Sequence, residues 1–366
     1  MVNVFFLSQA TASAPLLSLR AKRLANFMES LPTPDWQVDS LAIYDPRVVL
    51  PTQIRNRDVS AYQAGGDQKM SCELLWPQIL PRLPSQIDVL FLADPALWEV
   101  VQRILSLPMY QATKLVVDTT QADFSLELFK RANLIFVASE HVRDQVQALN
   151  GRSASLIRDG VRDANPADYF LSKWQHRLPV FPWALNIVPE VNGQVYRQTV
   201  NSFGQSLACV PIDSKVVFLN CAQYALTKEF KDCPFGELNL SRLQTLGFLP
   251  EYDFQAVTQL APIYTLTNHS ADENFWITAQ ALSSGARVVA YKQALVGFES
   301  LVDGERVLAV ENAAQFQEAL RDAFLKPVLT LASVLPDSSN SLYVQFNART
   351  SFAAVPALLQ SVMVAA

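Results

Sequence analysis

The sequence is poor in the residues from which metal centres are built. Four cysteines (Cys72, Cys209, Cys221 and Cys233) are scattered with no C-x-x-C pair, and three histidines (His141, His176 and His269) lie far apart. Such spacing gives no zinc framework, and the cysteines read as free thiols of a reducing compartment. Long hydrophobic runs are missing as well: nothing reaches the roughly 18 apolar residues that span a bilayer. The N-terminal MVNVFFLSQATASAPLL has no basic n-region and is interrupted by polar residues, so it does not read as a signal peptide. The expectation is a cytoplasmic chain with no transmembrane segment. No Lys/Arg block or aromatic–basic stripe is present, and a net charge of −5 argues against nucleic acid as the partner. Low-complexity tracts and internal repeats are also absent.

What is present is a core-forming chain. Its 366 residues are half apolar and only 17% charged, which excludes disorder and suits two globular domains. Short apolar, β-branched runs alternate with longer helical patterns, the signature of βαβ units around a parallel sheet. Strands are expected at 2–7, 37–43, 88–92, 114–117, 133–138 and 154–157, and helices at 16–30, 95–107, 125–131 and 140–149. The near-continuous hydrophobicity of these strands fits a sheet covered on both faces. Residues 163–179 read as a linker. Beyond it the alternation restarts, with strands at 181–188, 215–220, 243–248, 263–267, 287–290 and 306–310. Helices are expected at 195–208, 255–260 and 313–324, and the terminal SFAAVPALLQSVMVAA reads as a docking helix.

The fold class is therefore α/β, with two facing Rossmann-like, doubly wound parallel-sheet domains. The expected boundaries are 1–172 for an N-terminal and 173–335 for a C-terminal Rossmann-like domain. Residues 336–366 would pack back on the N-terminal domain.

Chemistry in such folds gathers where polar loops leave the C-terminal edge of the sheet. The segment 270–310, SADENFWITAQALSSGARVVAYKQALVGFESLVDGERVLAV, is such a loop–helix–strand unit, with an acidic pair at Asp272 and Glu273. In the first half, Asp94, Asp118, Thr119, Glu140, His141 and Asp159 fall at strand ends or helix starts. Asp94 and Asp118 are candidates for ligand binding or proton acceptance, with helix capping and turn formation as the alternative for each. His269 beside the acidic loop is placed either to meet a phosphate or simply in a loop. Arg20, Lys22 and Arg23 read as a solvated charged face, with contact to an anionic ligand as the alternative.

The 270–310 segment resembles the donor-binding signature of GT-B glycosyltransferases of the retaining group-1 type, S-x-x-E-G-F-G-L-P-x-L-E-A-M-A-x-G-x-P-V-V. The resemblance continues in order through DVLFLADP (88–95), KLVVDTT (114–120), RANLIFVASEHVRDQV (131–146), SLIRDGV (155–161) and LQTLGFLPEYDFQAV (243–257). It covers roughly 85–366. The family's glycine-rich first turn is replaced by residues 8–15, SQATASAP, which places Ser8 and Thr11 on the acceptor side.

Carried over residue by residue, the resemblance implies a hexosyltransferase with a nucleotide-sugar as substrate, no cofactor and no metal. The acceptor would be a hydroxyl of a glycan, a glycolipid or a protein glycan. The catalytic candidates are Asp94, Asp118 and Glu273, and the acceptor side adds Thr119, Glu140, His141 and Asp159. Donor binding falls to Asn186, Glu190, His269, Asn274, Phe275, Gln280, Gly297 and Phe298. Two departures matter. In the family's G-R-L-x-P-E-K-G the diphosphate meets an arginine and a lysine, whereas LNIVPEVNG (185–193) has Asn186 for the first and Val191 or Asn192 for the second. Gln280 stands where the second glutamate of the signature is expected. Lys228, Lys231, Arg242 and Lys292 are the candidate replacement cations, with an ordinary surface charge as the alternative for each. The departures also suit a catalytically silent GT-B-like partner or chaperone subunit of an active glycosyltransferase, or a different GT-B enzyme such as a sugar-nucleotide epimerase.

Overall fold

The computed structural model describes residues 1–9, 19–45, 54–63, 69–119, 126–158, 168–180, 182–188, 199, 202–203, 206–219, 240–247, 249–267, 277–278, 280–282, 286–295, 298, 302–326 and 351–364. The chain divides into two compact units: Met1–Asp159 together with Ala348–Ala366, and Gly160–Asn347.

Unit 1 is built on β1 (Val2–Ser8), β2 (Trp36–Tyr44), β3 (Val59–Ser60), β4 (Val89–Leu92), β5 (Lys114–Thr119), β6 (Leu134–Val137) and β7 (Ser155–Leu156). They form one sheet in the order β3-β2-β1-β4-β5-β6-β7, and each pairing is parallel. The order reverses between β1 and β4. Helices α1 (Leu19–Glu29), α2 (Cys72–Ile79), α3 (Trp98–Ser106), α4 (Leu126–Arg131) and α5 (Glu140–Asn150) supply the connections.

The strands lack a polar/apolar alternation because both sheet faces are covered. Phe5, Leu7, Leu90 and Leu92 belong to one buried cluster, shared with α2, α3, α4 and α5. Their neighbours Val4, Phe6, Val89 and Phe91 belong to a second, shared with Leu24 and Phe27 of α1. That second cluster also takes Phe352, Val355 and Leu359 from the C-terminal segment, the last two on a helix at Val355–Val364. Phe27 sits at its centre, 4.7 Å from Phe91 and 4.7 Å from Phe352, the latter edge-on.

Unit 2 holds β8 (Trp183–Ile187), β9 (Lys215–Leu219), β10 (Leu243–Gly247), β11 (Ile263–Leu266), β12 (Arg287–Tyr291) and β13 (Val307–Val310). Their order is β10-β9-β8-β11-β12-β13, again all parallel, which is the 3-2-1-4-5-6 arrangement of a dinucleotide-binding fold. Phe203 and Phe218 pack edge to face at 5.5 Å, and Phe203 meets Phe316 in the same manner at 5.6 Å. Asn312 caps the helix Ala313–Leu325 by accepting from Gln315 N at 3.0 Å.

Sequence and structure differ at three elements. The expected linker 163–179 contains a helix, α6 (Asp168–Gln175), packed against α7 (Glu251–Leu260). Buried Trp174 anchors it by donating from Nε1 to Asp253 Oδ1 at 2.7 Å, and Lys173 Nζ meets the same oxygen at 2.6 Å. Strand β3 and helix α2 were not expected at all. The Val195–Ala208 helix is described only in part, around Thr199, Phe203 and Ser206.

Candidate functional site

A parallel strand ends with its carbonyls and the following loop pointing to one edge, so the polar residues at strand ends share that edge. In unit 1 they are Ser8 at the end of β1, Asp94 just after β4, Asp118 and Thr119 closing β5, and Ser139 just after β6; all five are buried. β1 and β4 flank the reversal in strand order, the crevice where such sheets bind ligands. Ala93 N donates to Leu7 O at 3.0 Å, and Ser8 and Asp94 are the next residues along the two parallel strands. The Asp94 carbonyl also accepts from Leu97 N at 2.9 Å, opening the short turn Pro95–Leu97.

Asp118 is committed to a partner that the sequence placed elsewhere. Arg23 is 2% exposed and donates from Nε to Asp118 Oδ2 and from Nη2 to Oδ1, both at 2.7 Å. Its Nη1 donates to Ile157 O at 2.6 Å, and its guanidinium lies 5.0 Å from the Phe27 ring and 5.7 Å from the Phe352 ring. The solvated-face reading of Arg23 is therefore corrected. Its charge is buried, which is tolerable because a bidentate carboxylate, a carbonyl and two aromatic faces replace water. The same fork occupies both oxygens of Asp118 and ties α1 to the ends of β5 and β7.

Ser139 rather than Glu140 caps α5, accepting from Val142 N at 3.2 Å. Glu140 is exposed and paired with Arg158 at 3.0 Å, and His141 is exposed beside Gln145 at 2.8 Å. Thr11 and Asp159 lie outside the described residues.

In unit 2 the order reverses between β8 and β11. Asn186 lies opposite Thr265 in the ladder and is 2% exposed. Its Nδ2 donates to Thr265 O at 3.0 Å, to Thr265 Oγ1 at 3.2 Å and to Thr267 Oγ1 at 3.1 Å. Thr265 Oγ1 donates onward to Leu185 O at 3.0 Å, and Thr267 Oγ1 shares a 3.2 Å bond with Thr199 Oγ1. Thr199, Thr265 and Thr267 are all buried. The position that resembles the family's diphosphate arginine thus holds a neutral amide inside a hydroxyl network.

The remaining donor-side residues separate. Gln280 is partly buried, with Nε2 3.4 Å from Thr258 Oγ1, and Phe298 is 1% exposed. Glu190, His269, Glu273, Asn274, Phe275 and Gly297 lie outside the described residues, as do Lys228 and Lys231. Arg242 is neither a surface charge nor turned to the crevice. It is 9% exposed and donates to three carbonyls, those of Leu207, Pro211 (2.6 Å) and Ser214 (3.0 Å). Burial pushes its guanidinium below the ordinary arginine value, with Asp213 acting in the other direction. Lys292 is exposed and paired with Glu311 at 2.5 Å. Among the described residues, no group of three or more His, Cys, Asp or Glu side chains could hold a metal ion, and no helix is long and apolar enough to cross a membrane.

The buried polar residues at these strand ends that the sequence did not single out are Thr199, Thr265 and Thr267; Arg23 was named, but on a solvated face. A signal for two of them existed. Thr265 and Thr267 are two apart in an otherwise apolar strand, so they share a sheet face, and Asn186 interrupts a neighbouring apolar run.

No family model and no curated protein matches the sequence. Solved structures do match, along the whole chain. Sucrose-phosphate synthase from Thermosynechococcus elongatus is 15% identical with a TM-score of 0.70, covering 100% of both chains. The Anabaena protein HepE, in complex with UDP and glucose, is 16% identical with a TM-score of 0.66, covering 99% of this chain and 100% of its own. α,α-Trehalose 6-phosphate synthase from Burkholderia multivorans is 12% identical with a TM-score of 0.61 and full coverage of both chains. At these identities the likeness establishes the fold: the chain has the GT-B fold, two Rossmann-like α/β units.

Proposed function

We propose that this protein is a glycosyltransferase. It moves a hexose from a nucleotide-sugar, bound at the C-terminal edge of the unit 2 sheet, to a hydroxyl acceptor, for which unit 1 is the acceptor domain. The acceptor is a glycan, a glycolipid or a protein glycan, and the reaction takes place in the cytoplasm without a metal. The observation that carries this reading is the full-length likeness to HepE, a protein whose structure holds UDP-glucose, with 99% of this chain covered at a TM-score of 0.63. Two sets of buried polar residues, Ser8 with Asp94 and Asn186 with Thr267, lie at the reversals in strand order where doubly wound sheets take ligands.

Transfer requires that the leaving diphosphate be stabilised as its charge develops. The two candidate cations among the described residues, Arg242 and Lys292, are engaged with backbone carbonyls and Glu311. That observation favours a second reading, a catalytically silent GT-B-like subunit that supports an active transferase.

Thermal shift and calorimetry against UDP-, GDP-, ADP- and TDP-sugars separate the two. Binding to one of these, with slow release of free nucleotide, supports the enzyme. Silence towards all of them, together with a stable partner recovered by pull-down, overturns it in favour of the subunit.

A further inference from the structure

Counting hydrogens in the unit 2 network leaves one over. Asn186 Nδ2 can only donate, and its two hydrogens are taken by Thr265 O, Thr265 Oγ1 and Thr267 Oγ1. The Thr265 hydroxyl hydrogen is spent on Leu185 O. Thr199 and Thr267 then bring two hydroxyl hydrogens to the single bond they share. Whichever of them donates, the other's hydrogen has no acceptor among the described residues. Both residues are 2% exposed, so bulk water does not absorb the excess at low cost.

This surplus lies at the β8/β11 reversal. Thr267 directly follows β11, and Thr199 belongs to the helical stretch that follows β8. We propose that the Thr199–Thr267 hydroxyl pair, oriented by Asn186, is a neutral hydrogen-bond donor to an oxygen of the bound nucleotide-sugar. The inference rests on the glycosyltransferase reading of this edge and adds the group that recognises the ligand there. Asn186 is the positioning residue. Because its amide nitrogen only donates, it can take no hydrogen from Thr267, and the pair's remaining hydrogen stays on the two hydroxyls. The pair thus supplies polarity without charge at a crevice where Asn186 itself has no hydrogen to spare. A phosphoryl, ribose or sugar oxygen offers the same acceptor chemistry.

The test is calorimetric titration of the full chain with UDP and with UDP-glucose, alongside melting temperatures. The double variant T199V/T267V keeps the shape of both side chains and removes both hydroxyls. It is expected to bind UDP-glucose about tenfold more weakly or worse, the scale of one lost hydrogen bond in a buried site. The T199S/T267S variant restores the hydroxyls and is expected to bind within about twofold of the wild type, which separates loss of a donor from loss of packing. A loss already present with UDP places the acceptor oxygen on the nucleotide; a loss seen only with UDP-glucose places it on the sugar. Either pattern supports the proposal. A folded double valine variant with wild-type affinity overturns it, as does a loss that serine fails to restore. A wild-type chain that binds none of the nucleotide-sugars overturns the glycosyltransferase reading, and this inference falls with it.

Discussion

Arg23 and Asp118 meet as a buried fork, with Nε and Nη2 each 2.7 Å from a carboxylate oxygen across 95 residues of sequence. The pair joins the first helix of unit 1 to the end of a central strand, one residue before Thr119. Removing one member of a buried pair strands the other. Arg23→Met is therefore expected to destabilise unit 1 by about 3–5 kcal/mol, and the double variant R23M/D118N by distinctly less. Urea unfolding followed by tryptophan fluorescence checks this. Equal losses in the single and double variants would show that the ion pair is not what holds the three elements together.

The C-terminal segment bears on the same spot. Phe352 is 2% exposed, meets Phe27 edge-on at 4.7 Å and lies 5.7 Å from the Arg23 guanidinium. Truncating a large buried aromatic costs about 3–5 kcal/mol, so Phe352→Ala should weaken unit 1 by that amount. Because Phe352 and Arg23 touch, the two losses should not add, and F352A/R23M should fall short of their sum. Strict additivity in the same unfolding experiment would separate the segment from the ion pair.

Arg242 gives a different kind of test. Its fork satisfies the carbonyls of Leu207, Pro211 and Ser214, the turn between a helical stretch and β9. Arg242→Met leaves these acceptors without their donor, at about 1–3 kcal/mol for each carbonyl that water cannot reach. Arg242→Lys keeps the charge but not the planar fork, and should recover only part of the loss. Nucleotide-sugar affinity in the folded K variant should match the wild type. A large selective fall in that affinity would return Arg242 to the list of ligand contacts.

The strands were legible because they are buried on both faces. Runs such as VFFL in β1 and VLFL in β4 carry that burial in their composition. Edge strand β3 is two residues long and has no periodicity to read. Helix α6 was hidden for the opposite reason. Its polar residues suggest a linker, and only the docking of Trp174 and Lys173 on Asp253, about 80 positions away, makes it part of the core. Distance in sequence also hid the polar partners at both strand-order reversals. The local pattern marked Asp118 as a strand-end polar residue, and the family resemblance singled out Asn186. What each one does depends on Arg23, or on Thr265 and Thr267, and no local window contains both members of either set.

One carboxylate ties stability to pH in a way that fixes the sign of the effect. Asp303 Oδ1 accepts from Glu305 N at 2.9 Å, Arg306 N at 2.7 Å and Val307 N at 2.9 Å, closing the turn that leads into β13. Gly304, at φ +74°, supplies the left-handed residue this turn requires. Burial, the largest single influence, pushes the Asp303 carboxyl up, but the backbone donors of Val307, Glu305 and Arg306 outweigh it and hold the value below the ordinary carboxylate range. A lowered folded value means that the unfolded chain takes up the proton first as pH falls. The contribution is therefore complete above the ordinary aspartate value of about 4, and it is lost as pH drops through the folded value. Asp303→Asn keeps an acceptor oxygen but not the charge. The melting temperature of D303N should lie below the wild type's at pH 7, and the gap should close in acid. A gap that stays constant across the titration would show that the turn is held by its geometry rather than by the charge.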